Sequence, residues 1–293
     1  MKLKTLINNN KKEFDREFSL LLKDNLDNSI LSKAMRYGTV NGGKRIRPFL
    51  ESEAAKLVNL SKKNSLIIAS AIELIHSYSL IHDDLPCMDD DDFRRGKLST
   101  HKKFGEATAV LAGDALHDLA FELISGNIKT KDYKSNLNLI NYLSKCIGNK
   151  GLASGQSLDL LYENKTIKKL NVLKMYKMKT GKLFEFSFCA PFILTNKSKK
   201  EIKFAKEFGI LFGLIFQIVD DLIDQQGSFK ELGKTPGKDH KQGKSTLIKM
   251  IGYNNVKKYC NEEVMKFAKK HNNYLKRNKT VEDLLYFLIM KID

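Results

Sequence analysis

Six aspartates, Asp83, Asp84, Asp89, Asp90, Asp91 and Asp92, fall within ten residues at the end of an apolar run carrying Ile72, Leu74, Ile75, Leu80 and Ile81. Arg94 and Arg95 follow at once. Pro86 lacks an amide donor and disfavours helix at Leu85, so a helix reaching Asp83 and Asp84 ends or kinks there. Both carboxylates then sit at a helix C-terminus, where the macrodipole is already negative. Such a placement makes sense with a cation. Asp83 and Asp89 would face different ways on one continuous helix, whereas a break at Pro86 lets them converge. Sparse hard oxygen ligands suit Mg²⁺, which keeps several waters and bridges to phosphate. An EF-hand starting at Asp89 fails, because its sixth position requires Gly and holds Arg94.

Other stretches carry complementary chemistry. In GTVNGGKRIRPFL, Gly42 and Gly43 free the backbone, Lys44 and Arg47 supply positive charge, and Pro48 suits the first turn of a following helix. Glycines and cations at a helix start make an anion cradle. His76 lies seven residues before Asp83, nearly in line on a helix and about 10 Å away along its axis. In FGILFGLIFQIVDDLIDQQG, Gln217, Asp220, Asp221 and Asp224 are embedded in an apolar helix. There Gln217, Asp220 and Asp224 share one stripe, and buried charges need pairing or a metal. Lys234, Lys238, Lys241 and Lys244 lie in a Gly-rich segment, GKTPGKDHKQGKST. It is not a P-loop, since five residues rather than four separate Gly237 from Gly243 and no strand precedes it.

Taken together, DDxxxxD at Asp83 to Asp89 with Arg94 and Arg95, GGKRxRP, KTG at Lys179 to Gly181 and FQxxDDxxD resemble the trans-polyprenyl diphosphate synthases. The first motif is similar to the bacterial short-chain form, the farnesyl diphosphate synthases. The motifs run in order over almost the whole chain. The resemblance implies an all-α isoprenoid synthase bundle around a central cavity, with residues 1–293 as one polyprenyl synthetase domain. It implies Mg²⁺ held by Asp83, Asp89 and Asp220, with Asp84, Asp221 and Asp224 as direct ligands or supports. Lys44, Arg47, His76 and Arg95 are implied for isopentenyl diphosphate; Arg94, Lys234 and Lys244 for the allylic diphosphate. Lys179, Thr180 and Gln217 would line the allylic cavity. Tyr78 and Ser79, five and four residues before the first aspartate, would close the pocket of a short product. The reaction implied is condensation of isopentenyl diphosphate with dimethylallyl and then geranyl diphosphate to the C15 product. A geranylgeranyl diphosphate synthase differs mainly around Tyr78, and a terpene cyclase has no use for GGKRIRP.

These residues must be positioned by helices. Leu3, Leu6, Ile7, Phe14, Phe18, Leu21 and Leu22 recur at helical intervals, residues 65–85 form a long helix, and residues 131–149 and 150–162 read as further helices. Gln156 and Asp159, within GLASGQSLDL, read as structural. No stretch patterns as a strand, and no apolar run approaches the roughly 18 residues that span a bilayer. With 42% hydrophobic residues over 293 and no Pro, Gly or Ser-rich linker, one domain is expected. The net charge of +17 would suit nucleic acid, yet it comes from 44 scattered lysines and only seven arginines. Four arginines cluster at positions 45, 47, 94 and 95, which fits a few phosphate groups better than RNA. Cys87, Cys146, Cys189 and Cys260 show no CxxC spacing, and MKLKTLINNNKKEF lacks the apolar core of a signal peptide. A cytoplasmic protein without stable membrane association is the expectation, and the family resemblance implies a homodimer.

Overall fold

The computed structural model describes residues 2–40, 42–226, 243–276 and 278–290. The chain runs α1 (Lys2–Asn25), α2 (Ile30–Val40), α3 (Ile46–Val58) and α4 (Lys62–Asp83), then a small hairpin and α5 (Thr100–Phe104). There follow α6 (Glu106–Glu122), α7 (Tyr133–Ile147), α8 (Leu152–Leu161), α9 (Lys169–Tyr176), α10 (Lys182–Leu194) and α11 (Lys199–Gln226). Past residue 242 come α12 (Leu247–Ile251), α13 (Tyr253–Leu275) and α14 (Lys279–Ile289).

Helix boundaries follow local chemistry. Ser61 caps α4 by accepting the amide of Asn64, and α4 stops at Asp83, three residues before Pro86. The backbone then doubles back, so that the Asp89 amide donates to the Asp83 carbonyl at 2.8 Å. Two stretches, β1 (Phe93–Arg94) and β2 (Lys97–Leu98), pair antiparallel around Arg95 and Gly96. This corrects the strand-free expectation. Both turn residues have positive φ, 55° and 77°, the signature of a two-residue type I′ hairpin. Two-residue strands are too short to show any alternation.

Two apolar clusters hold the bundle, and α10 belongs to both. Its Phe184, Phe188 and Phe192 join Phe204, Phe208 and Phe212 of α11. Its Leu183, Phe186 and Ala190 join Ile68 and Ile72 of α4 and Leu116 of α6. Each fully buried ring contributes about 1.5–3 kcal/mol. One helix among the described residues, α4, is long and apolar enough to cross a membrane. Ser70, Glu73 and His76 interrupt its apolar residues, so it is not one continuous apolar run. Most of that stretch is buried against its neighbours.

Arg45 departs from the phosphate-cluster reading of the arginines. It is 4% exposed, sits in left-handed backbone (φ 50°) ahead of α3, and turns inward. Its Nε donates to Asp15 at 2.8 Å, one Nη pairs with the buried Glu73 and the other donates to the Thr39 carbonyl at 2.8 Å. Arg45→Met is expected to lower stability by about 3–5 kcal/mol in chemical denaturation, because Glu73 is left as an uncompensated buried charge.

Candidate active site

A cavity of about 410 Å³ opens among α3, α4, α8, α10 and α11. Asp83 and Asp89 line one side, and Asp220, Asp221 and Gln217 of α11 line another. Burial pushes the Asp83 carboxyl up to about 7; Asp89 and Asp84 add to this, while Lys179 and Arg94 oppose it. Asp84 and Asp224 are not among the lining residues. Asp84 is buried and turned to Arg94, which also lies 3.6 Å from Asp91. Burial disfavours charge on Arg94, but Asp84 and Asp91 outweigh it and hold the guanidinium above its usual range. Of the three residues on the expected α11 stripe, Gln217 and Asp220 face the cavity, and Asp221 does so in place of Asp224.

A cationic wall stands opposite. Lys44 is exposed at the rim, and Arg47 enters from α3 over the ring of Phe184, 4.2 Å from its centroid. Burial brings the Arg47 pKa down to about 10, and its buried Nε has no hydrogen-bond partner. Arg47 Nη1 lies 3.3 Å from His76 Nε2. Arginine only donates, so Nε2 accepts and His76 is neutral; burial, then the Arg47 charge, hold it well below the usual imidazole range. Arg95 donates to the Gly42 carbonyl at 2.6 Å and lies against Gly43. Gly43 has φ +108°, and a Cβ there would come within 2.9 Å of the Arg95 guanidinium carbon. Gly43→Ala is therefore expected to displace Arg95 and raise KM about tenfold for isopentenyl diphosphate, the substrate the resemblance implies for Arg95, as steady-state kinetics would show.

Lys179 and Thr180 lie on a π-helical turn, Lys177–Gly181, rather than on regular helix. Such turns recur at functional sites. Gly155 of α8 packs directly on this turn, where a Cβ would lie 2.1 Å from the Lys179 nitrogen. Thr180 donates to Gln217 Oε1. Lys179 reaches Asp159 at 2.5 Å, and Lys244 reaches Asp89 at 3.2 Å and Asp159 at 3.5 Å. Burial works against charge on Lys179, but Asp159, Asp83 and Asp89 hold its pKa above the usual lysine range. Burial raises the Asp159 pKa, yet the two lysines bring it below the ordinary value. Asp159, read as structural from the sequence, lies between these lysines on the cavity wall. Gln156, one turn away, is 6% exposed, lines the cavity and has neither amide atom hydrogen-bonded. Tyr176, unmarked in the sequence, donates to Asp221. Ser79 lines the cavity, whereas Tyr78 packs with its ring 5.6 Å from His82 and 5.4 Å from His117. Lys234 lies outside the described residues, as do Lys238 and Lys241.

The sequence profile of the polyprenyl synthetase family matches residues 28–285. The chain belongs to that family. Among its polyprenyl synthetase relatives, the farnesyl diphosphate synthase of Micrococcus luteus is 38% identical over 260 residues, covering 85% of this chain and 87% of that protein. Geranylgeranyl pyrophosphate synthase 4 of Arabidopsis thaliana is 42% identical over 247 residues, covering 82% of this chain and 65% of that protein. A Helicobacter pylori geranyltransferase, solved with magnesium and isoprenyl diphosphate, superposes with a TM-score of 0.83 at 30% identity, covering 100% of this chain and 98% of that one. The all-α isoprenoid synthase bundle expected from the motifs is thus the fold observed.

Proposed function

We propose that residues 1–293 form one polyprenyl synthetase domain that condenses isopentenyl diphosphate with dimethylallyl and geranyl diphosphate to farnesyl diphosphate. The observation that carries this reading is the cavity itself, with two carboxylate pairs and two separate sets of cations on one wall system. One anion needs one set of cations; two sets fit two diphosphates. Oxygen donors on both sides, and a carboxyl at Asp83 whose charge is disfavoured without a cation, fit Mg²⁺. Asp83, Asp89 and Asp220 would hold it, with Asp221 beside them, Asp84 supporting through Arg94, and Asp224 behind. When bound, Mg²⁺ offsets the negative charge of the departing diphosphate.

The protein's own groups do the rest. Lys179, Lys244 and Arg94 hold the allylic diphosphate as its C1–O bond breaks and the bonding pair leaves with it; Lys234 is assigned to the same group. Thr180, aligned by Gln217, turns its hydroxyl oxygen toward the cationic carbon. Lys44, Arg47, His76 and Arg95 hold isopentenyl diphosphate, whose double bond attacks that carbon. A proton then passes to the released diphosphate and restores a double bond. The apolar walls, Leu183 and Phe216 among them, exclude water that would quench the cation. Ser79 forms the near floor, and Tyr78 beside it sets the limit for a chain growing past Ser79. The 42% identity to an Arabidopsis geranylgeranyl pyrophosphate synthase keeps a C20 product as the alternative. The proposal includes a cytoplasmic homodimer. Diphosphate release tests the reaction class: condensation requires both substrates, whereas release from the allylic diphosphate alone would indicate a cyclase.

A further inference from the structure

We infer that Tyr176 is a positioning residue, tying the segment that carries Lys244 to the second acidic helix and so holding Lys244 at the cavity wall. The inference rests on the prenyl-transfer reading of Lys244. Tyr176 is the last residue of α9 and is 3% exposed. A phenolic hydroxyl offers one donor and can also accept. Its donor goes to Asp221 Oδ2, and its oxygen accepts the Leu247 amide at 3.0 Å. That amide belongs to the first turn of α12, where no partner exists within the helix. Lys244 is three residues upstream, and Lys249 Nζ donates back to the Lys244 carbonyl at 2.9 Å.

The same bonds extend inward. Asp221 Oδ1 accepts from Gln217 Nε2 at 2.9 Å, and Gln217 Oε1 accepts from Thr180. A continuous hydrogen-bond chain therefore runs from Thr180 in the allylic cavity, through Gln217, Asp221 and Tyr176, to the backbone at Leu247. Its polarity is fixed by the Leu247 amide at one end, which can only donate, and by the Asp221 carboxylate within the chain, which accepts from both Tyr176 and Gln217. Elsewhere the segment is held to the loop between α8 and α9: Asn164 donates its amide to the Gly243 carbonyl at 3.0 Å, and Ser245 Oγ donates to the Lys165 carbonyl at 3.0 Å. Those contacts fix its outer side; Tyr176 fixes its inner side relative to Asp221.

Tyr176→Phe keeps the ring and removes the hydroxyl. Titration calorimetry with Mg²⁺ and inorganic pyrophosphate is to be run on wild type, Tyr176→Phe, Lys244→Ala and the double variant. The expected result is a roughly 5- to 10-fold affinity loss for Tyr176→Phe alone and less than about 2-fold further loss in the Lys244→Ala background. Equal losses in both backgrounds, or none, would overturn the positioning role. Because this readout is binding, a wild type inactive in condensation would count against the prenyl-transfer reading without deciding the Tyr176 cycle. Hydrogen exchange of the wild-type Leu247 amide gives a check independent of any variant's folding. Strong protection is expected, and exchange at the rate of an open loop would overturn the bond on which the inference stands.

Discussion

Asp83→Ala is expected to lower Mg²⁺-dependent turnover by at least about 10³-fold while leaving the helical circular dichroism spectrum nearly intact. The reason is the cost already present at this carboxyl. Its folded pKa of about 7, against the ordinary 3.8, means that burial disfavours the ionised form that a metal requires. An acid with a raised folded pKa keeps its proton in the folded protein after the unfolded chain has lost it. Stability of the metal-free protein therefore falls as pH rises from about 4 through about 7, with a slope of at most about 1.4 kcal/mol per pH unit. Asp83→Asn should flatten that slope in thermal denaturation at pH 5 and pH 8, and so be the more stable protein at pH 8 without metal. Retained Mg²⁺-dependent activity in Asp83→Ala would contradict the assignment of this carboxylate.

Arg47→Met is expected to raise KM for isopentenyl diphosphate by about 10²-fold while leaving stability unchanged or increased. Its pKa of about 10 is below the arginine norm because burial disfavours the charge, and its Nε has no partner. The cation is thus held at a cost that an arriving diphosphate would relieve. Arg47→Lys should recover only part of the loss, since an ammonium cannot grip two oxygens with a planar fork. The contrast with Arg45, two residues earlier, is the sharpest check on these roles. Denaturant midpoints and KM values for Arg45→Met and Arg47→Met should move oppositely: stability lost in the first, substrate affinity in the second. A large stability loss in Arg47→Met would make it a core residue.

What the sequence disclosed and what it hid separate along physical lines. The Asp83 to Asp89 reversal was legible because Pro86 forbids continued helix, and the acidic helix α11 because its period is regular over many turns. The fate of Arg45 was not, since the choice between inward and outward arginine depends on a left-handed backbone at that residue and on Glu73 arriving from α4. Tyr176 escaped notice, and Asp159 read as structural, because their partners lie 45 and 20 residues away in the chain, respectively, beyond any local pattern. The helical wheel places Asp224 on the cavity stripe, yet Asp221, held by Tyr176 and Gln217, is the one that faces it. Two-residue strands leave no periodicity to find, so the hairpin that places Arg94 and Arg95 was silent as well.

The most direct measurement is incubation of the purified protein with Mg²⁺, labelled isopentenyl diphosphate and each of dimethylallyl, geranyl and farnesyl diphosphate, reading product length after dephosphorylation. A C15 alcohol from the first two starters and little extension of the third is the predicted result. Folded protein that yields no condensed product from any starter would contradict it.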